Sequence, residues 1–159
     1  MSHITARPLT REGFAPFGDV IDCAGEPDKI INAGLCGRFH DRAKIDVGAG
    51  RVGLSLFQAE LRSLPYELTL VERHPLGSQA FVPMSMNPFL VIAAEPGDIP
   101  GNIHAFLTQP GQGINFHKNT WHGVLTPLSG SGLFAVIDRI GAEPNLEEFP
   151  LPDPVMILP

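Results

Sequence analysis

Two short stretches of the chain concentrate the side chains that can do acid–base or metal chemistry. The first runs from Glu72 to Gln79 (ERHPLGSQ), and the second from Gly113 to His122 (GINFHKNTWH). Imidazoles and carboxylates serve as general acids and bases and as ligands for divalent metals, and amides bind polar groups of substrates. We predict that the two stretches form two walls of one pocket.

The strand pattern around the first stretch turns its polar side chains inwards. Residues 66–74 are predicted to form a strand whose alternation divides it into two faces. If the strand runs on without a bulge, one face holds Leu68, Leu70, Glu72 and His74, and the other holds Glu67, Thr69 and Arg73. A buried carboxylate is costly without a partner. Glu72 is therefore expected to meet a metal, a cationic group or a ligand, unless it lies in water at the pocket mouth.

In the second stretch the polar and apolar side chains also alternate. Asn115 and His117 share one parity, opposite to that of the apolar residues between and before them. The next strand begins at Trp121, which is expected to pack in the core or at a dimer contact. If His122 lies opposite His74, two imidazoles, a carboxylate and an amide share one cavity.

Composition sets limits on the function. The 159 residues are 43% hydrophobic and 18% charged, which is an ordinary globular composition with enough chain for one domain over residues 1–159. A net charge of −6 opposes nucleic-acid binding, which needs clustered Lys and Arg.

Neither a signal peptide nor a membrane span is recognisable, so no membrane partner is expected. We expect a cytoplasmic protein whose two cysteines, Cys23 and Cys36, stay reduced.

The chain pattern indicates an all-β fold with minor helical turns. Frequent prolines and glycines separate about ten short strands, the spacing found in antiparallel sandwiches and barrels. Residues 38–47 and 52–57 are among the predicted strands, and residues 89–94 read as a strand covered on both sides. Thr10 is expected to cap a helical turn. The proline-rich tail, residues 143–159, is expected to wrap the surface or a partner subunit.

The spacing of the polar residues resembles the cupin superfamily. Its first motif has two histidines at i and i+2 followed by a glutamate, and its second has one later histidine. Glu72, His74, Gln79 and His122 fall at these places. Glutamate replaces the first histidine, glutamine replaces the glutamate, and His117 stands where a turn proline is usual. The resemblance implies a cupin-like antiparallel β-barrel.

Longer segments resemble the ureidoglycolate lyase family. They span about residues 4 to 150 and comprise residues 31–34, 38–41, 72–84, 113–122 and 137–139. The resemblance implies a homodimer that cleaves (S)-ureidoglycolate to glyoxylate and urea in allantoin and purine breakdown. It also implies a divalent metal, with nickel named, and no organic cofactor. If a metal is bound, its ligands are expected to be His74, His122, Glu72 and Gln79.

This substrate is a carbinolamide that carries a carboxylate, so cleavage needs a base for the hydroxyl proton and an acid for the departing nitrogen. We expect His74 or His122 to be the base, oriented by Glu72, and His117 to be the acid. The amides of Gln79 and Asn115 would hold the ureido group.

Three basic residues are candidates for binding the substrate carboxylate: Lys118, Arg73 and Arg139. By its parity Arg73 points outwards, where it would form a surface or interface salt bridge. His40, in an early polar cluster with Arg38 and Asp41, is a minor candidate for a pocket completed across a dimer.

Two other functions fit the same residues. One is a different cupin-type metal-dependent enzyme, a dioxygenase or isomerase, although Glu72 and Gln79 depart from the usual ligand set. The other is a non-catalytic cupin that binds glyoxylate or a ureide without turning it over.

Overall fold

The computed structural model describes all residues from 1 to 159 and consists almost entirely of β-strands. Its one helix, α1, spans Arg11–Phe14, and no helix has the length and apolar character needed to cross a bilayer. The strands are β1 (Ser2–Thr5), β2 (Arg7–Pro8), β3 (Gly18–Ile21), β4 (Lys29–Ile31), β5 (Cys36–Arg38), β6 (Arg51–Gln58), β7 (Tyr66–Arg73), β8 (Gln79–Pro83), β9 (Phe89–Ala94), β10 (Ile103–Leu107), β11 (Gly113–Phe116), β12 (Trp121–His122), β13 (Thr126–Pro127), β14 (Leu133–Ile140) and β15 (Glu147–Leu158).

The strands form two large sheets and a separate hairpin of β4 and β5. The first sheet has the order β1-β15-β7-β12-β9-β10-β2, with β13 also paired to β9. The second has the order β3-β11-β8-β14-β6. All pairs are antiparallel except those of β1 with β15 and β2 with β10. The predicted cupin-like all-β architecture is confirmed, but its strands form separate sheets and do not close into a barrel.

The N-terminal segment joins the two edges of the first sheet. β1 pairs with β15 at one edge and β2 pairs with β10 at the other, with only Ala6 between them. The Ala6 amide donates to the Leu158 carbonyl at 2.9 Å, and the Leu9 amide donates to the Leu107 carbonyl at 2.8 Å. As predicted, the Thr10 side chain then caps α1 by accepting a hydrogen bond from the Gly13 amide at 3.0 Å.

Two hydrophobic cores lie on opposite faces of the first sheet. The core between the two sheets is rich in phenylalanine. The other core includes side chains from the N-terminal and C-terminal segments, such as Ala6, Val155 and Ile157. β9 is buried on both faces, as predicted: its odd-numbered residues join the first core and its even-numbered residues the second. This double burial fixes the position of β12, which pairs with the C-terminal end of β9.

Residues 38–47 do not form the predicted strand. β5 ends at Arg38, and Asp41 has a φ of 48°, which an extended strand cannot accommodate. The backbone of Lys44 bonds to side chains instead of a neighbouring strand: its amide donates to Asp19 at 2.9 Å and its carbonyl accepts from Asn115 at 3.0 Å. The predicted strand was therefore wrong. In this stretch the backbone amide and carbonyl of Lys44 bond to side chains and not to a neighbouring strand.

The alternation predicted for β7 breaks within the strand. Leu68 and Val71 pack in the same core although they are three residues apart. Between the partners of Leu68 and Leu70, β15 carries extra residues, and the register shifts. Leu68 therefore does not share a face with Glu72.

The proline-rich segment at the C-terminus is part of the first sheet. Its strand β15 pairs along β7 and β1, and the irregular residues 151–154 include two prolines, which have no amide to donate. This segment is thus a pairing strand, in contrast to the surface wrap expected from composition.

Candidate active site

Three chemically active side chains meet where β7 and β12 run side by side. Glu72 lies near the end of β7, His74 follows that strand, and His122 is directly opposite Glu72 in the antiparallel ladder. One ligand atom from each of the three lies within 4.8 Å of the others. The ring centroids of His74 and His122 are 5.2 Å apart. The predicted meeting of the two stretches is therefore found in the structure.

Backbone carbonyls fix the tautomers of both imidazoles. His74 Nδ1 lies 2.8 Å from the Asn145 carbonyl oxygen, and His122 Nδ1 lies 2.8 Å from the Gly123 carbonyl oxygen. A carbonyl only accepts, so each Nδ1 must carry the proton and donate it. Each Nε2 is then left with a lone pair. Both Nε2 atoms are buried and have no protein partner.

His122 is held as a neutral ring. It is 1% exposed, and its ring stacks on Phe116 with centroids 4.2 Å apart and an interplanar angle of 9°. Burial lowers the pKa of His122 to about 3, although the bond to the Gly123 carbonyl opposes the shift; the charge of His74 lowers it further. His122 consequently stays uncharged near neutral pH and is a weak base.

The Glu72 carboxyl group is easier to protonate than an ordinary glutamate. Burial raises its pKa, nearby His74 opposes this rise, and Glu148 adds to it. Glu148 is the cross-strand partner of Glu72 on β15, so the two carboxylates lie side by side on one face.

Gln79 supplies a further acceptor from the opposite sheet. It is 7% exposed and pairs in the ladder with Phe116, the residue that stacks on His122. Its amide nitrogen donates to Asp138 at 3.2 Å, which leaves Oε1 buried and without a protein partner. The Nε2 atoms of His74 and His122 and the Oε1 atom of Gln79 are thus buried acceptors without a protein partner. Such a site suits a cation or a ligand rich in N–H groups.

The same donor set fits a divalent metal ion. Two imidazole Nε2 atoms and one carboxylate are ligands that first-row divalent metals accept, and their spacing lets all three reach one ion. The Nδ1–H bonds to backbone carbonyls are the outer contacts usual for metal-binding histidines. The triad therefore forms a possible metal site.

Asn115 and His117 lie together but away from the triad. Both contact Asp19 on β3: the Asn115 amide donates at 3.0 Å, and His117 Nε2 lies 3.3 Å away. Burial would raise the pKa of Asp19, but hydrogen bonds from Lys44, Asn115 and His117 outweigh it and lower that pKa. Asn115 and His117 point in the same direction, as predicted. Phe116, between them, points the opposite way and stacks on His122, so the two polar side chains face away from the triad.

Two of the predicted carboxylate-binding residues are engaged elsewhere. Arg73 bonds to Glu147 at 2.7 Å and lies over the Trp121 ring, on the far face of β7 from Glu72. Arg139 bonds to Glu143 at 2.7 Å, and its side chain is only 5% exposed.

The third candidate, Lys118, precedes a residue that contacts His74 through its backbone. It lies in the turn whose Asn119 amide donates to the His74 carbonyl at 2.9 Å. Its ammonium group is 3.7 Å from the Asp46 carboxylate, and its side chain is about half exposed. His40 is exposed, and its backbone amide bonds to Asp28, so it does not join this group.

Three residues that shape the site were not singled out as site residues from the sequence. Phe116 stacks on His122, Asp138 holds the Gln79 amide, and Asn145 fixes His74. Only Asp138 carried a local signal, because it lies at the end of an alternating strand. Asn145 is 71 residues from its partner and sits in an irregular segment, where no periodicity exists to reveal it.

Comparison with known proteins gives one consistent result. A family model described as ureidoglycolate lyase matches residues 1–158. The chain is 57% identical over 159 residues to the ureidoglycolate lyase of Rhodobacter capsulatus, covering 99% of both chains. It is 53% identical to that of Mesorhizobium japonicum (94% of this chain and 93% of the relative) and 49% identical to that of Chelativorans sp. strain BNC1 (99% and 97%). With its triad and fold, this match along the whole length establishes that the chain belongs to the ureidoglycolate lyase family.

Proposed function

We propose that this protein is an enzyme that cleaves (S)-ureidoglycolate to glyoxylate and urea, in the cytoplasm, as a step of allantoin breakdown. The observation that carries the proposal is the set of buried, unpartnered acceptors around Glu72 in a chain that matches the lyase family from end to end. The ureido group of the substrate carries several N–H donors, and these acceptors complement them.

His74 is the base in this proposal. Its Nε2 has a lone pair because Nδ1 donates to the Asn145 carbonyl. It takes the proton of the substrate hydroxyl, the oxygen becomes the aldehyde of glyoxylate, and the C–N bond breaks. The imidazolium then returns the same proton to the departing urea nitrogen, so no net proton is consumed. The Glu72 carboxylate, within reach of His74, stabilises the imidazolium in between.

His122 has a different role because its pKa of about 3 makes it too weak a base for the hydroxyl proton. Its Nε2 and the Oε1 of Gln79 accept N–H groups of the ureido moiety. Lys118 binds the substrate carboxylate, since it lies in the turn bonded to His74 and its contact with Asp46 is long. The sequence-based roles of His117 as the acid and of Asn115 as a substrate ligand are not retained, because both residues contact Asp19.

As an alternative, the same site binds a divalent metal. The resemblance implies nickel. Glu72, His74 and His122 would hold it, with Gln79 as a further oxygen ligand. When bound, it would supply Lewis-acid polarisation of the hydroxyl oxygen. Activity that survives exhaustive chelation supports His74 as a free base, and activity that is lost on chelation and restored by nickel supports the metal form.

Product balance tests the proposed reaction. The purified protein is incubated with (S)-ureidoglycolate, and urea, glyoxylate and ammonia are measured in the same sample. Equal amounts of urea and glyoxylate without ammonia are expected. Ammonia release would indicate amide hydrolysis, and the absence of turnover would support a binding protein.

We also propose that the protein is a homodimer that covers the edge strand β6. Val52, Leu54 and Leu56 lie on one face of this strand and are 55%, 70% and 63% exposed. An exposed, apolar edge strand invites pairing with another chain, and a contiguous apolar surface of this kind commonly marks an interface. A second copy of the chain is the occupant that the resemblance implies.

A further inference from the structure

Asn145 contacts both ends of the turn that follows β7. Its backbone carbonyl accepts a hydrogen bond from His74 Nδ1 at 2.8 Å. Its side-chain Oδ1 accepts one from the Leu76 amide at 2.7 Å. A single residue from the segment before β15 thus bridges the catalytic imidazole and the backbone two residues beyond it. No other residue makes hydrogen bonds to both parts of this turn.

Local backbone restrictions make this bridge well defined. Pro75 confines His74 to extended conformations, and Pro144 has a fixed φ immediately before Asn145. The bond from the Leu76 amide attaches the next part of the turn to the same residue. The Asn145 carbonyl is consequently held where it accepts from Nδ1, and the lone pair of His74 is forced to be on Nε2.

We propose that Asn145 is a positioning residue that selects the Nδ1–H tautomer of His74 and so presents Nε2 to the ligand. The side chain is the necessary part, because it holds the carbonyl in place through the Leu76 amide. Without it, the carbonyl moves away from Nδ1 and the ring is free to populate the Nε2–H form, which has no lone pair at the site. The consequence for turnover rests on the proposed function of His74, whereas the tautomer itself does not.

Long-range ¹H–¹⁵N correlation spectra of the metal-free protein, labelled at histidine, test the proposal directly. The His74 signals are assigned with a His74→Gln variant. In the wild type, His74 should show the Nδ1–H pattern. Asn145→Ala should introduce the Nε2–H pattern, and Asn145→Asp, which keeps an acceptor for Leu76, should restore the wild-type spectrum. Asn87→Ala is the matched control. Asn87 precedes the N-terminal end of β9, bonds to Ser129 and makes no hydrogen bond to the triad, which is next to the other end of that strand.

Turnover provides the second readout. Asn145→Ala should lower kcat by about 10–100-fold, a loss like that seen when a metal-binding histidine loses its outer contact, while Asn87→Ala leaves kcat unchanged. A wild-type spectrum with Nε2–H on His74 would overturn the proposal even if Asn145→Ala fails to fold. An Asn145→Ala variant with an unaltered spectrum and unaltered kcat would also overturn it. Failure of the wild type to cleave ureidoglycolate, with the tautomer as expected, would refute the proposed function alone.

Discussion

The buried, neutral His122 makes the stability of the protein depend on pH in a defined direction. Its pKa is lowered from 6.5 to about 3 by burial, with the bond to Gly123 opposing and the charge of His74 adding to the shift. The unfolded chain therefore binds a proton at this residue below about pH 6.5, whereas the folded chain does not until about pH 3. The contribution of this residue to stability is complete above the unfolded pKa and is lost progressively as pH falls through this window.

The magnitude follows from proton linkage. At about pH 5 the unfolded state is protonated at His122 and the folded state is not, which costs about 2 kcal/mol of the free energy of unfolding relative to about pH 7.5. This figure depends mainly on the unfolded pKa, because the folded pKa lies well below pH 5. His122→Phe keeps an aromatic ring to stack on Phe116 and removes the titrating group. It should therefore remove this part of the pH dependence.

Urea unfolding of the metal-free protein at the two pH values measures the effect. The quantity compared is the change in free energy of unfolding between the two pH values, so a constant cost of the substitution, such as the loss of the bond to Gly123, cancels. His3→Phe, at an exposed histidine on β1, is the control for histidine removal as such. An identical pH dependence in the wild type and His122→Phe would refute a buried neutral imidazole.

Three further changes test individual parts of the site. Gln79→Met removes the unpartnered Oε1 at nearly constant volume and should lower kcat/KM by the equivalent of about 1–3 kcal/mol; an unchanged kcat/KM would remove Gln79 from the substrate contacts. Lys118→Met should raise KM for ureidoglycolate far more than it lowers kcat, and a loss of kcat alone would contradict a role in binding the carboxylate. Leu54→Lys, on the exposed face of β6, should shift the mass measured by sedimentation from dimer to monomer, whereas a stable dimer would exclude that face as the interface.

Local sequence signals were sufficient for the strands that carry the triad. Glu72, His74, Gln79 and His122 each lie at or next to a strand end, and the pairing of β7 with β12 brings the two stretches together as predicted. The apolar run of β9 also predicted a strand covered on both sides, because six consecutive apolar residues leave no polar face, and all six are buried. These features depend on a period that can be read within one strand.

Features that depend on which sheet a strand joins were not predictable in this way. Asn115 and His117 share a face, as expected, but periodicity does not say that this face of β11 is turned towards Asp19 and not towards His122. The alternation of Val52, Leu54 and Leu56 predicted a strand correctly, and yet its apolar face is exposed in the protomer. In β7, extra residues in the partner strand β15 changed the facing of Leu68. Each of these outcomes is set by tertiary pairing.

The most direct test of the triad as the site of cleavage is the kcat of His74→Gln with ureidoglycolate. Gln keeps a polar side chain of similar length and removes the basic Nε2. A folded His74→Gln protein should lose about 10²–10⁴-fold in kcat, while His3→Gln stays at the wild-type value. A His74→Gln enzyme that retains wild-type kcat would contradict the assignment of His74 as the base.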